Sequence, residues 1–239
     1  MITNSSAIVL KRFPYGESSI IARCFVKNNG KLSFIVHGAR RKKSPRSAHF
    51  QPINCLDLVY YYKPSKNLQT ISKSSFASTW KNIPQNFKKI TFSMALLEMT
   101  DKCLTENDPH EDLFDELFRS LNSIDNNTNN DNLHFWYYQY QILNKLGFKP
   151  DFSQRDQNNS FLPDPYKSTN SKIIFDCFEN NKSGSEEKLS LSSQDRKIIS
   201  NYLNTCLKIH FDGIDEDLGC LLYTSPSPRD ATLSRMPSS

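Results

Sequence analysis

The period of the apolar residues changes once along this chain, at Pro84, and that change restricts the folds open to it. Before it, apolar and β-branched runs alternate with turn residues; after it, apolar residues recur at helical spacing. Ala7–Phe13, Ser19–Lys27, Lys31–His37, Ile53–Lys63 and Leu68–Ser75 read as five strands. Pro14-Tyr15-Gly16-Glu17 breaks the first from the second, and Pro64–Asn67 separates the last two. Asn28-Asn29-Gly30 falls where a tight hairpin needs residues that tolerate positive φ. Short strands with no helix between them suggest a small closed barrel, of the oligonucleotide-binding or the SH3-like type.

After Pro84 four helices are predicted. In Phe87–Leu104, Ile90, Met94, Leu97 and Thr100/Asp101 fall on one stripe. In His110–Leu121 the stripe is Leu113, Phe114, Leu117, Phe118 and Leu121. Asp125–Asn132 reads as a polar linker, Leu133–Leu146 as a helix closed by Gly147 and Pro150, and Ser193–Phe211 as the last helix. Residues 151–188 read as loop, with one apolar segment at Lys172–Phe178. Leu221–Ser239 follows no period and resembles the translation of a sequencing adapter. It is expected to be non-native or disordered, the natural chain running on past Gly219. The expected organisation is α+β: a five-stranded barrel over 1–82, an all-helical domain over 83–220 and a tail over 221–239.

Charge is partitioned along the same boundary. Residues 1–82 hold fourteen Lys and Arg against Glu17 and Asp57, a net of +12; the remainder holds sixteen against twenty-three acids, a net of −7. The densest cationic stretch is Gly38-Ala39-Arg40-Arg41-Lys42-Lys43-Ser44-Pro45-Arg46. Its glycine and proline predict a loop or turn, and if Gly38 takes positive φ there, Gly38→Val would misplace the loop without changing its charge. Bunched cations repel one another and add nothing to a core, so an external anion is their natural counter-charge. Exposed rings beside such a groove can stack nucleic-acid bases, and Phe13, Tyr15, Phe34, Tyr60, Tyr61 and Tyr62 are the candidates. If alternation buries Tyr60 it exposes Tyr61, or the reverse.

Catalytic and metal chemistry find no pattern. The stretch ending at Lys43-Ser44 lacks the glycines of a phosphate-binding loop, with His37 and Lys42 in their places. The five histidines are dispersed and read as surface or packing residues. The six cysteines form no Cys-x-x-Cys pair, and four sit in apolar runs as small hydrophobes. A non-enzyme without cofactor is expected. No stretch of about 18 apolar residues occurs, which with the cysteine usage suggests a reducing, cytoplasmic setting and no membrane partner.

These features occur in a recognisable order. Val9-Leu10, Tyr15-Gly16-Glu17, Asn29-Gly30-Lys31, Gly38-Ala39-Arg40-Arg41 with Ser44, and Gln51-Pro52 are followed by Leu97-Glu98, Leu113-Phe114 and Leu146-Gly147-Phe148-Lys149-Pro150. Over residues 1–218 the chain thereby resembles the RecO family of bacterial DNA repair proteins. The resemblance implies an oligonucleotide-binding barrel followed by a helical domain. It also implies binding to single- and double-stranded DNA, strand annealing, and partnership with RecR. A further implied contact is the C-terminal tail of the single-stranded DNA-binding protein SSB, so that RecA is loaded onto coated strands. Some members carry a four-cysteine zinc module after the Gly-Phe-x-Pro station; here Ser153-Gln154-Arg155-Asp156 stands there, and no zinc is expected. Phosphate is expected to be gripped by Arg40, Arg41, Lys42, Lys43 and Arg46, helped by Arg12, Arg23, Lys31 and Lys73. The SSB tail is expected on the helical domain, at Lys145, Leu146, Phe148 and Lys149, with Lys208 as another choice. The alternative reading is an RNA-binding or ribosome-associated barrel protein.

Overall fold

The computed structural model describes residues 1–126, 131–150, 152, 162–180 and 189–214. Strands β1 (Ile2–Tyr15), β2 (Ser19–Val26), β3 (Gly30–Val36), β4 (Cys55–Tyr61) and β5 (Leu68–Ser78) close into a barrel in the order β1-β2-β3-β5-β4. Closure is possible because β1 is long enough to serve two neighbours: Ile2–Ile8 pair with β4, and Ala7–Tyr15 pair with β2. An irregularity between Val9 and Lys11 bends it from one partner to the other. The β3–β5 seam is parallel and short, Ser33–Ile35 against Leu68–Thr70. This is the strand order of the five-stranded oligonucleotide-binding barrel, not the SH3-like alternative.

Alternation fills the interior with Ala7, Val9, Ile20, Ala22, Cys24, Phe34, Leu56, Leu58 and Tyr60. One end is covered by a four-residue helix, α1 (Arg46–His49), with Phe50 buried below it. The sequence predicts no helix among the strands, since one turn carries no period. The expected first strand begins at Ala7; Ile2–Ser6 join it because β4 supplies a hydrogen-bonding edge to Thr3-Asn4-Ser5-Ser6, a run too polar to be read as strand.

The helical part comprises α2 (Phe87–Cys103), α3 (Glu111–Asn126), α4 (Asp131–Lys145), α5 (Thr169–Glu179) and α6 (Ser193–His210). The segment read only as apolar, Lys172–Phe178, lies within α5, whose capping box is made by Ser168 and Ser171. The linker reading at Asp125–Asn132 is corrected at both ends. Asp125 and Asn126 belong to α3 and Asp131 to α4, while 127–130 lie outside the described residues. Asp125 is only 5 % exposed because its carboxylate accepts from the backbone N–H groups of Lys81 (3.1 Å), Asn82 (2.8 Å) and Ile83 (2.8 Å). It thus fixes the segment leaving the barrel. Ser153–Asp156 and Leu221–Ser239 also fall outside the described residues.

Barrel and helices share a core. The outward side chains of Ile8, Leu10, Phe25, Ile53 and Cys55 join Phe92, Leu96, Leu97, Phe114 and Trp136 in one continuous apolar cluster. On α2 the buried face is Phe92, Leu96, Leu97, Met99, Thr100 and Cys103, and Met94 is exposed, so the predicted stripe is rotated. The helix lies between barrel and bundle and buries residues on two sides, which leaves no single stripe to read. Ile53 marks the seam. Its φ of 79° is strained for a β-branched residue, at a cost of about 1–3 kcal/mol. Its N–H donates to Val9 O (3.0 Å) and its carbonyl accepts from Trp80 Nε1 (3.0 Å), which hold it there.

Candidate nucleic-acid interface

The β1–β2–β3 ladder decides what the outer barrel face presents. Register places Phe13 opposite Ile21 and Ile21 opposite Ile35, with Lys11, Arg23 and Ser33 aligned one rung below. These side chains face outward, alternating with the core residues Ile20, Ala22, Phe34 and Val36. Phe13 and Tyr15 are 44 % and 47 % exposed, and Lys11 Nζ lies 5.6 Å from the centre of the Phe13 ring. Tyr61 is exposed on β4. Phe34 and Tyr60 are fully buried and pack edge to face at 5.1 Å, so these two candidate rings belong to the core. Phe76 on β5, opposite Leu56, is a further exposed ring and packs on His49 at 4.7 Å; nothing in its local pattern distinguishes it from a core position.

The basic loop leaves β3 through Gly38, whose φ is +70°. It is stapled to the barrel mainly through backbone groups. The Arg40 N–H donates to Ser18 O (2.9 Å) and its guanidinium to Gly16 O (3.0 Å). Arg46 Nη1 donates to His37 O (3.2 Å), and Arg12 Nη1 to Ser47 O (3.4 Å). His49 Nδ1 and Ser74 Oγ are hydrogen-bonded at 2.9 Å, tying α1 to β5. Arg41, Lys42 and Lys43 are exposed and have no acidic partner among the described residues. Arg12 and the 40–46 stretch therefore form one cationic rim, bounded by Tyr15 and Phe13 on the strand beside it. Lys73 is exposed on β5 opposite Val59, next to Ser74, which is hydrogen-bonded to His49 of α1.

Arg23 and Lys31 have a different setting. Both meet Asp101 of α2, which is 6 % exposed. Arg23 Nη1 donates to its carboxylate at 3.2 and 3.3 Å, and Lys31 Nζ donates to its carbonyl at 2.5 Å and lies 3.7 Å from the carboxylate. Lys11 pairs with the same carboxylate, and Lys27 Nζ lies 2.7 Å from Asp115 on α3. Burial pushes the Lys31 ammonium below its usual pKa, while Asp101 acts in the opposite direction. The hydrogen bond from Lys27 to Asp115 raises the Lys27 pKa.

On the helical domain, Lys145 reaches Asp112 at 3.6 Å and Leu146 is packed on the core. Phe148 is 38 % exposed, stacked on His210 at 4.4 Å and edge to face with Phe211 at 5.3 Å; Lys149 is exposed beside it. Burial raises the thiols of Cys55 and Cys103 to about 12, so they stay protonated at neutral pH and pack as small apolar groups. Among the described residues no group of three or more His, Cys, Asp or Glu is placed to hold a metal, and no helix is long and apolar enough to cross a membrane.

Comparison with known proteins covers both halves. The family profile "Recombination protein O N terminal" matches residues 1–80, and "Recombination protein O C terminal" matches residues 84–205. The DNA repair protein RecO of Salinibacter ruber is 34 % identical over 150 residues, 62 % of this chain and 57 % of that protein. Its counterpart in Flavobacterium johnsoniae is 31 % identical over 158 residues, 65 % and 66 % of the two chains. That of Flavobacterium psychrophilum is 25 % identical over 229 residues, 89 % and 94 %. The matches to Salinibacter ruber and Chloroherpeton thalassium thus span 57 % and 60 % of those relatives' lengths.

Proposed function

The chain belongs to the RecO family, and from that premise we propose that it is a DNA-binding recombination mediator in DNA repair. In this reading it binds single- and double-stranded DNA, anneals complementary strands and, with RecR, helps load RecA onto strands coated by SSB. The helical domain would receive the SSB tail where Phe148 is exposed between Lys145 and Lys149. An acidic, apolar peptide needs a cation beside an apolar surface, and that is the chemistry these residues offer.

The observation that supports the reading most directly is the run Arg41-Lys42-Lys43, exposed on a rim anchored to the barrel and unmatched by any acid among the described residues. Phosphate contact of this kind is blind to sequence, as befits a protein acting at any gap or break. The test is salt dependence. Each phosphate contact to a single strand contributes about −0.7 to the slope of log affinity against log salt. With two or three of the clustered cations on phosphate, replacing Arg40, Arg41, Lys42 and Lys43 by serine reduces the slope by roughly 1.4–2.1. An unaltered slope would place the interface elsewhere. A preference for structured RNA over single-stranded DNA would favour an RNA-binding role instead.

A further inference from the structure

Three cations from three adjacent strands, Lys11, Arg23 and Lys31, converge on the single carboxylate of Asp101, with Glu106 4.0 Å from Arg23. Three positive charges against two negative ones leave a cationic excess. The three are held unequally. The Lys31 side chain is 9 % exposed and is also bound to the Asp101 carbonyl, whereas those of Lys11 and Arg23 are 42 % and 30 % exposed. They lie on the same outer face as Phe13 and Tyr15. From Lys11 along β1 to Tyr15 is four residues, about 13 Å at strand spacing, and the turn after Tyr15 touches Arg40. A strand lying along the cationic rim and over those rings would reach this cluster next.

We propose that the Asp101 carboxylate stands in for a nucleic-acid phosphate on the outer face of the barrel, and that Lys11 and Arg23 transfer from it to the strand when single-stranded nucleic acid binds. Lys31 stays with Asp101, so the carboxylate keeps a counter-charge and the shared core of barrel and helices is undisturbed. The inference rests on the DNA-binding reading above and adds a second phosphate subsite with a built-in competitor. Asp101 then weakens binding, although it lies on the helical domain and touches no DNA.

The test is a double-mutant cycle on the full chain with a poly-thymidine strand as probe, each variant first checked for an unchanged circular dichroism spectrum. Asp101→Asn releases two partly exposed pairs and should tighten binding by about three- to tenfold. Glu98→Gln removes the same charge from the same helix, at a residue paired with Lys102, and should change affinity by less than about twofold. In a Lys11→Gln, Arg23→Gln background the gain from Asp101→Asn should vanish. The proposal is overturned if folded Asp101→Asn binds no more tightly, if Glu98→Gln matches it, or if the gain survives in that background. Where Asp101→Asn does not fold, the Lys11→Gln, Arg23→Gln protein decides. A salt slope reduced by about 1.4 supports the subsite, and an unchanged slope overturns it. A native chain that fails to bind the strand overturns both readings. A serine loop variant that alters the slope while these variants do not overturns this one alone.

Discussion

The barrel carries two sets of cations that look alike in the sequence and behave differently in the fold. Lys11, Arg23, Lys27 and Lys31 face the helical domain and meet Asp101, Glu106 and Asp115. Arg40 to Arg46 face outward and are held by backbone carbonyls or by nothing among the described residues. Part of the opposition between a basic front and an acidic back is therefore internal matching across a domain seam. Only the remainder is available to an external anion. Counting charge by segment thus overstates an interface whenever the neighbouring segment supplies the counter-ions.

The contrast is sharpest at two glycines of positive φ. Gly30 begins β3 at the docked hairpin, and a Cβ there would lie 2.0 Å from the backbone oxygen of Asp108. Gly38 opens the basic loop on the exposed side of the barrel, and a Cβ there would meet only the Arg41 side chain at 3.6 Å. Gly30→Ala should cost roughly 3–5 kcal/mol, or prevent the seam from forming, and Gly38→Ala about 1–2 kcal/mol. Chemical denaturation of both variants measures the difference, and similar costs would break the distinction between docked and free.

Next in size are the lysines. Lys31→Gln removes the most buried of the Asp101 partners, but Lys11 and Arg23 remain, so a loss of about 2–3 kcal/mol is expected, less than for a fully stripped buried charge. The loop substitutions at Lys42 and Lys43 should each stay within about 0.5 kcal/mol. Equal losses in thermal melting would show that the loop, too, is part of the fold.

The smallest effect concerns an acid inside the helical domain. Burial raises the pKa of Glu116, while Arg119 at 3.0 Å and Lys145 act against the rise. A raised folded-state pKa means that the native chain holds this proton to higher pH than the unfolded chain does. Stability is therefore favoured near and below the ordinary value of 4.5 and falls as pH rises through the raised pKa. Glu116→Gln should gain on the parent protein over that interval and hold its advantage above it. Denaturation midpoints across pH 4 to 8 read this directly, and a constant difference would contradict it.

Local signals were legible where the cause was local. Asn28-Asn29-Gly30 closes the β2–β3 hairpin, with Gly30 alone of the three at positive φ (72°), and strands β2 to β5 lie close to where their apolar runs predicted. The density of charge at 40–46 and the change of period at Pro84 depend on neighbours a few residues apart, and they too were readable. The α2 face, the polar start of β1 and the membership of α5 were not, because each is set by what packs against it.

What the sequence determined by itself was the run of five strands followed by helices, the hairpin and the basic loop, since these follow from backbone preference and charge within short windows. Which cations remain available was decided only by tertiary structure. The partner of Lys31 lies 70 residues along the chain and that of Arg23 lies 78, so no pattern at their own positions records it. A buried counter-ion is created by folding, and the same Lys or Arg reads as free or as engaged according to where the chain brings a carboxylate.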